Sequence, residues 1–305
     1  MSYSLPSMQR RHYPLIVHLI SVALIVGGVV IVSRHHIQAD QSVSNTSSSQ
    51  HITSSSHEGA TQTVDTHLQT IISTWASQQS FSSSILVQEL DGRLRTANIK
   101  PTNKIITAST FKIYVAYAML HAIEQGKYTL KSTLSDGNSV QTDLNNMILN
   151  SDNDASRTLG FALDWQRINS LLKSQSLTGT DLNNYDSDST MPDGDKYSTA
   201  QDFVTFLTKL HAGTLLNAAH TQLLLNLMEK QSYRERIPAG VPSSITVADK
   251  PGWLTSADGE NENIQNDAAI VYGPKSTYIL VITTTGSSTR PLTNLSQQIY
   301  NYLQR

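Results

Sequence analysis

The spacing of apolar residues predicts two helices in the first half of the chain. Apolar side chains recur at i, i+3, i+4 and i+7 from Leu68 to Trp75, the period of an amphipathic helix over Thr66–Ser77. The segment Phe111–Gln125 is instead apolar on nearly every side and stops at Gly126, which is typical of a helix in the middle of a protein. Similar spacings predict helices at Val140–Leu149, Ser156–Lys173, Ala200–Leu210 and Ala218–Lys230, and a closing helix through Leu295, Ile299 and Leu303.

Strand-like stretches lie on both sides of this helical series. Ser84–Leu90 is followed by the hairpin signal Asp91-Gly92 and a return strand near Leu94. Three more strands are predicted at Thr246–Asp249, Ala268–Tyr272 and Tyr278–Thr284. This order predicts an α+β fold, in which one antiparallel sheet is flanked by helices and carries an inserted all-helical region. We expect the strands near Leu86, Ile270 and Leu280 to share that sheet, with the helices at Trp75 and Ile299 on one face.

The N-terminal part of the chain has a different pattern. Leu15–Val32 is an 18-residue, largely apolar run, which as a helix would span about 27 Å and so cross a bilayer. Arg10 and Arg11 precede it, which favours a cytoplasmic N-terminus at 1–14 and a transmembrane anchor at 15–32. Residues 33–64 are rich in Ser and Thr and predict a disordered linker to an extracytoplasmic domain at 65–305. A cleaved signal peptide, leaving a secreted protein, is the alternative.

Composition removes several classes of function. The chain has 305 residues and no cysteine, which excludes disulfide scaffolds, thiolate zinc sites and cysteine nucleophiles. Lys plus Arg number 22 and Asp plus Glu number 24, so no overall charge favours a nucleic acid as partner.

The segment Ser109-Thr110-Phe111-Lys112 is the first candidate for chemistry, because it begins the all-apolar helix. The i, i+3 spacing places the hydroxyl and the amine on one helix face. An apolar environment lowers the pKa of a lysine, which can then act as a base toward the serine. Ser170-Leu171-Leu172-Lys173 has the same spacing, but it lies in an amphipathic helix where Lys173 is expected to be solvated.

Two further motifs follow in order. Ser151-Asp152-Asn153 lies at a predicted helix–helix junction, where capping alone would account for it. Lys250-Pro251-Gly252 lies at the end of a predicted strand, just before Trp253. The order S-x-x-K, S-D-N, K-x-G resembles the penicillin-recognising serine hydrolases, most nearly the class A β-lactamase-like branch, from about Thr66 to the C-terminus.

The resemblance implies roles for the residues of the first two motifs. Ser109 would be the acylated nucleophile and Lys112 its general base. Ser151 would pass a proton to the departing nitrogen, and Asn153 would hydrogen-bond Lys112 and the substrate.

The resemblance also implies how the third motif would bind substrate. Lys250 would attract the substrate carboxylate, and Gly252 and Trp253 would line the substrate side of the strand. The backbone N–H groups of Ser109 and Trp253 would form the oxyanion hole. The substrate would be a β-lactam or a peptidoglycan-derived small molecule or peptide, and the reaction needs no metal or cofactor.

The chain departs from the family pattern at two places. Pro251 stands where family members usually carry Thr or Ser, and no arginine follows between Trp253 and Tyr272. The region expected to form the omega loop, 178–199, contains aspartates but no glutamate to activate the deacylating water, and no glutamate occurs between Glu124 and Glu229. The aspartates of this region are Asp181, Asp186, Asp188, Asp193 and Asp195.

Other functions stay open at this level. A D-alanyl-D-alanine carboxypeptidase or transpeptidase uses the same three motifs without the glutamate. A non-catalytic cell-wall binding or sensor module is an alternative of another class. A Ser-His-Asp esterase is disfavoured because the chain has no G-x-S-x-G segment.

Overall fold

The computed structural model describes residues 61–182, 196–255 and 263–305. The chain divides into two units, and every described residue lies in the second, Ser56–Arg305. The predicted cytoplasmic segment 1–14, the predicted transmembrane anchor 15–32 and most of the predicted linker lie outside the described residues. Among the helices that are described, none has the length and apolar character needed to cross a membrane.

The described residues form strands near both ends of the unit and a mainly helical series between them. The strands are β1 (Thr63–Val64), β2 (Ser82–Glu89), β3 (Arg95–Ile99), β4 (Ile105–Ile106), β5 (Tyr197–Ser198), β6 (Thr246–Leu254), β7 (Ile264–Tyr272) and β8 (Thr277–Thr285). The helices are α1 (Thr66–Ser77), α2 (Lys112–Glu124), α3 (Val140–Leu149), α4 (Asn153–Leu163), α5 (Trp165–Ser174), α6 (Ala200–His211), α7 (Ala218–Glu229) and α8 (Thr289–Leu303). Short 3-10 turns at Ala108–Phe111 and Pro238–Gly240 precede α2 and β6.

One six-stranded sheet combines strands from both ends of this unit, as predicted. Its order is β1-β3-β2-β8-β7-β6, and all pairs are antiparallel except β1 with β3. Leu86 lies opposite Val281 and Ile270 opposite Ile279, which confirms that the three predicted strands share the sheet. The sheet begins at Thr63, two residues before the predicted start of the domain.

Helices cover both faces of this sheet. Tyr278, Leu280 and Ile282 of β8 pack with α1 and α8, whereas Ile279 and Val281 pack with the helical region around α2. The sequence of β8 is therefore a nearly continuous apolar run, because both faces of this strand are buried. This arrangement confirms the predicted α+β fold with terminal helices on one face and an inserted helical region on the other.

Two predicted boundaries are wrong for local physical reasons. The predicted helix 156–173 is two helices, because the chain turns at Asp164, where φ is 70°. The Asp164 carboxylate accepts a hydrogen bond from Gln166 N (2.8 Å) and so begins α5. At this turn Trp165 packs on Gly160, where an added Cβ would lie 2.1 Å from the indole ring. Strand β6 continues past the predicted end to Leu254, so the third motif lies inside a strand.

A buried ion pair fastens the sheet to the C-terminal helix. Glu89 accepts hydrogen bonds from Arg95 N (2.8 Å), Arg95 Nε (2.9 Å), Arg95 Nη2 (2.6 Å) and Ser276 Oγ (2.7 Å). Arg95 Nη2 also donates to Leu303 O at 3.2 Å. Burial alone would raise the pKa of Glu89, but the hydrogen bonds from Arg95 and Ser276 outweigh it and lower that pKa.

Replacing Glu89 with Gln is expected to lower the free energy of unfolding by about 3 kcal/mol at neutral pH, because the Arg95 charge stays buried without its partner. The folded-state pKa of Glu89 is lowered, so its contribution is present above the unfolded-state pKa and is lost as the pH falls through the folded-state value. Urea unfolding at several pH values should therefore show the free energies of unfolding of the two proteins approaching each other as the pH falls below about 4.

Asp154→Asn, which removes the exposed ion pair with Arg157, is the control and should change the free energy of unfolding little. Equal stability of Glu89→Gln and the parent at pH 7 would contradict this account.

Candidate active site

Ser109 and Lys112 are joined by a hydrogen bond at the start of α2. Ser109 lies in the 3-10 turn that leads into the helix, and Lys112 Nζ donates to Ser109 Oγ at 3.0 Å. Lys112 is fully buried because the helix is surrounded by apolar side chains on all sides. The same Nζ donates to Ser151 O (2.5 Å) and to Asn153 Oδ1 (2.6 Å). Three acceptors from two segments, the turn before α2 and the Ser151-Asp152-Asn153 motif, therefore hold this amine in place.

Burial changes the protonation of Lys112. It disfavours the ammonium form and lowers the pKa of Lys112 to about 8, although the Asp152 carboxylate acts in the opposite direction. Near neutral pH a usable fraction of the molecules then carries a neutral amine at hydrogen-bond distance from Ser109 Oγ. Such an amine can accept the hydroxyl proton, which is the requirement for a general base.

The second motif combines a helix cap with two groups that face the lysines. Asp152 caps α4 by accepting a hydrogen bond from Ala155 N at 2.9 Å. Ser151, just before it, has a φ of 59°, a left-handed conformation that is unusual for a residue with a side chain. In this conformation its carbonyl oxygen accepts from Lys112 and its hydroxyl oxygen from Lys250. Capping therefore accounts for Asp152, whereas Ser151 and Asn153 accept hydrogen bonds from the two lysines.

Lys250 brings a second buried amine to Ser151. Its Nζ donates to Ser151 Oγ and to Pro251 O, both at 3.0 Å, and the residue is fully buried. Burial, assisted by the nearby charge of Lys112 and opposed by the carboxylates of Asp249 and Asp267, lowers the pKa of Lys250 to about 7. Ser109, Lys112, Ser151, Asn153 and Lys250 thus form one connected hydrogen-bond network.

Pro251 fits into β6 because this strand is the edge of the sheet. The register to β7 continues on both sides, with Pro251 opposite Asp267 and Trp253 opposite Gln265. A residue without an N–H can lie in an unbroken ladder only where its nitrogen faces away from the partner strand. Because backbone groups alternate along an antiparallel strand, the N–H of Trp253 faces the same open edge. The oxyanion role predicted for Trp253 requires its N–H to lie at such an open edge.

Gly252 lets β6 approach the turn that carries Ser109. A Cβ at this position would lie 2.6 Å from Thr110 N and 2.7 Å from Thr107 O, so no larger residue fits without moving the turn. Asn266, which lies opposite Gly252 on β7, contacts the same turn, since its Nδ2 donates to Ile106 O (2.8 Å) and Thr107 O (3.1 Å). The sequence analysis missed Asn266, and only its position beside Gly252 in the sheet reveals it.

A second group that the sequence analysis missed lies behind Lys250. Asp249 and Asp267 are fully buried on neighbouring strands. Burial and the neighbouring carboxylate of Asp267 raise the pKa of Asp249, and burial raises that of Asp267 to about 6. Arg234 Nη1 donates to Asp249 Oδ1 at 2.5 Å, and Asp267 Oδ2 accepts from Ile237 N at 3.0 Å. The acids partly balance the positive charge that Lys112 and Lys250 concentrate in the site.

Trp253 has its ring between two side chains that precede β6. Tyr233 meets it edge-on at 4.8 Å between ring centroids, and the Arg236 guanidinium lies 5.0 Å above it. Arg236 also donates to Gln265 Oε1 through Nε (3.1 Å) and Nη2 (2.7 Å). A cation therefore lies beside the third motif, although the sequence between Trp253 and Tyr272 contains no arginine.

Other residues considered from sequence lie apart from this network or outside the described part. Ser170, of the second S-x-x-K segment, donates to Gln166 O within α5 and does not join Lys112. Asp181 pairs through its backbone with Tyr197 and accepts a hydrogen bond from Asn169 Nδ2 at 2.8 Å. The remaining loop aspartates, Asp186, Asp188, Asp193 and Asp195, lie outside the described residues. Within residues 61–182, 196–255 and 263–305, no group of three or more His, Asp or Glu side chains is placed to hold a metal.

Comparisons with known proteins identify the family and the fold of the chain. The chain matches solved structures of PBP-A (TM-score 0.71, 21% identity, 79% of this chain and 97% of the other) and of a PBP-A point mutant as an acyl-enzyme complex with penicillin G (0.70, 21%, 79% and 97%). It also matches the class A beta-lactamase of the last common ancestor of Gram-negative bacteria (0.67, 21%, 77% and 98%). No curated protein sequence matches it. The family model described as "Beta-lactamase enzyme family" matches residues 64–303, so the chain is a serine hydrolase that belongs to the beta-lactamase enzyme family.

Proposed function

We propose that this chain acylates Ser109 with β-lactams or related cell-wall amides and releases the acyl group slowly. The observation that carries the proposal is the buried Lys112 amine, whose Nζ lies 3.0 Å from Ser109 Oγ and whose pKa is lowered to about 8. A serine beside such an amine is an activated nucleophile.

Acylation would proceed through the network around Lys112. The neutral amine of Lys112 takes the proton of Ser109, and Oγ attacks the carbonyl carbon of the amide. The N–H groups of Ser109 and Trp253 stabilise the resulting oxyanion. When the C–N bond breaks, Ser151 gives its hydroxyl proton to the departing nitrogen and takes a proton from Lys250 Nζ, which is left neutral, while Lys112 keeps the proton of Ser109. The serine is then an ester of the substrate acyl group.

Substrate selection would follow from the charge beside β6. Lys250 attracts a carboxylate, and Arg236 adds positive potential next to Trp253. The substrate class is supported by the PBP-A mutant, which was solved as an acyl-enzyme with penicillin G. Pro251 has no hydroxyl to offer the carboxylate, so binding before acylation should be weak.

Deacylation is expected to be the slow step. Among the described residues, Lys112 is the ionisable group that hydrogen-bonds Ser109 Oγ, and no carboxylate does so. The stretch from Gln125 to Met228 contains no glutamate. A missing general base costs a factor of roughly 10² to 10⁴ in rate.

A D-alanyl-D-alanine carboxypeptidase or transpeptidase is the second candidate function, and the absence of glutamate from the loop sequence is the observation that favours it. Turnover of a D-Ala-D-Ala peptide, compared with turnover of a chromogenic cephalosporin, separates it from a lactamase. A non-catalytic cell-wall module, in contrast, would form no covalent adduct with a penicillin.

We further propose that the hydrolase domain lies outside the cytoplasm and is attached to the membrane by an anchor at Leu15–Val32. The length of this apolar run and the arginines before it support the anchor. N-terminal sequencing of the protein recovered from its membrane fraction distinguishes an intact anchor from a cleaved signal peptide.

Replacing Ser109 with Ala should abolish covalent labelling by a fluorescent penicillin, because the acylated oxygen is removed. Ser170→Ala is the matched control and should label like the parent, since that hydroxyl lies on a separate helix. Intact-mass spectrometry gives the number of adducts for each protein. Labelling of the Ser109→Ala protein would rule out this nucleophile.

The acylation rate constant should have a bell-shaped pH dependence. It needs a neutral Lys112, with a pKa of about 8, and a protonated Lys250, with a pKa of about 7, so the rate rises and then falls with limbs near those values. Lys250→Arg keeps a charge at every accessible pH, and the alkaline limb should disappear. Stopped-flow acylation across the pH range measures this, with Lys173→Arg as the control that keeps both limbs. An alkaline limb that persists in Lys250→Arg would assign it to another group.

Hydrolysis of a chromogenic cephalosporin should show one stoichiometric burst followed by a slow steady rate. The burst reports acylation of Ser109, and the steady rate should lie roughly 10²- to 10⁴-fold below it, because deacylation lacks a glutamate. Saturation should require high substrate concentrations, given Pro251. Rapid turnover without a burst would show that a substitute base is present, and Asp186→Asn and Asp188→Asn would then identify it.

A further inference from the structure

A groove with a volume of about 410 Å³ lies between the helices of the inserted region. The C-terminal half of α2, the end of α4 and the first turns of α5 line it, together with the turn that follows α2. Ser109 and the residues that hydrogen-bond it do not line the groove, so it is separate from the candidate active site. Its volume falls in the range of pockets that hold small organic ligands.

The floor of the groove is apolar. Ala118, Ala122 and Ile168 lie there with 4%, 5% and 1% of their surfaces exposed, and Leu171 continues the apolar surface along α5. The two alanines have short side chains, so α2 leaves room between itself and α5. An aliphatic chain laid on this floor would remove apolar surface from water, which is worth about 25 cal/mol for each Å².

Two basic side chains, Lys127 and Arg167, line the rim of the groove together with His121, and no Asp or Glu is among its described lining residues. Of the acids nearest in sequence, Glu124 accepts hydrogen bonds from Asn217 N and contacts His220 Nδ1, both at 2.8 Å. Asp164 Oδ2 lies 3.8 Å from Arg167 Nε, in an exposed pair that offsets part of the Arg167 charge. Positive charge around an apolar floor favours a ligand that carries an anionic head group on an apolar body.

We propose that this groove binds a medium-chain carboxylate, with the alkyl chain on the alanine floor and the carboxylate at Lys127 and Arg167. Both basic residues line the same groove as the apolar floor, so one ligand can meet the apolar and the charged parts together. A neutral alcohol of the same length would find only the floor, and an alkylamine would be repelled by the rim. The proposal does not depend on Ser109 or on any reaction at the active site.

Photolabelling of the full chain tests this binding directly. The probe is decanoate with a diazirine near its end, and adducts are located by tandem mass spectrometry. Adducts should fall within 118–128 and 162–171. The double variant Lys127→Gln/Arg167→Gln should lower the labelling there about fivefold, since two exposed charge contacts are removed.

The matched control is Lys173→Gln, which removes a positive charge from the same helix α5 but from a residue that does not line the groove. It should label like the parent, and thermal unfolding should show that all variants fold. A decylamine probe of the same design should label the groove weakly. The proposal is overturned if the amine labels the groove as well as the carboxylate does. It is also overturned if the double variant labels like the parent, or if adducts spread evenly over the surface.

Discussion

The candidate active site depends on the burial of one amine, that of Lys112. A buried ammonium group is costly unless acceptors surround it, and here Ser109 Oγ, Ser151 O and Asn153 Oδ1 do so within 3.0 Å. The three acceptors come from the turn before α2, the α3–α4 junction and the first residue of α4. Because α2 is packed on all sides, the amine cannot leave for solvent, and those segments must converge on it. The same burial that demands the acceptors also lowers the pKa of Lys112 toward the range of a useful base.

Ser151 connects Lys112 with Lys250 and thereby joins the helical region to the sheet. Its carbonyl accepts from one lysine and its hydroxyl from the other, which is possible because its backbone adopts a left-handed conformation. Two amines held so close repel each other when both are charged, and the proximity of Lys112 lowers the pKa of Lys250. The pair therefore favours a state with one proton fewer. The two amines meet at Ser151 through different atoms, the carbonyl oxygen for Lys112 and the hydroxyl oxygen for Lys250.

The sequence predicted the elements whose patterns are local and strong. Local patterns are enough to predict α1 from its apolar period, α2 from its all-apolar character and the strands at both ends of the domain. The three motifs identify Ser109, Ser151 and Lys250 from the sequence alone. The break at Asp164 escaped prediction because no proline or glycine occurs in Phe161–Gln166, and the packing of Trp165 on Gly160 is a tertiary contact. Asn266, Asp267 and Arg236 escaped for a related reason. The contacts of each depend on how β6 pairs with β7, and this pairing cannot be deduced from the sequence of one strand alone.

Pro251 shows how an edge strand separates stability from ligand binding. In an inner strand a proline would remove a ladder hydrogen bond and be selected against for stability alone. At the edge, the β6–β7 register continues through Pro251, so the sheet loses nothing by its presence. What is lost is a donor and a hydroxyl on the open side, where a substrate would lie. Gly252 is constrained in the opposite sense, because its missing side chain is required by the turn at Thr110. Adjacent residues of one motif are therefore constrained differently: packing against the turn at Thr110 requires Gly252, whereas the β6–β7 ladder tolerates a proline at position 251.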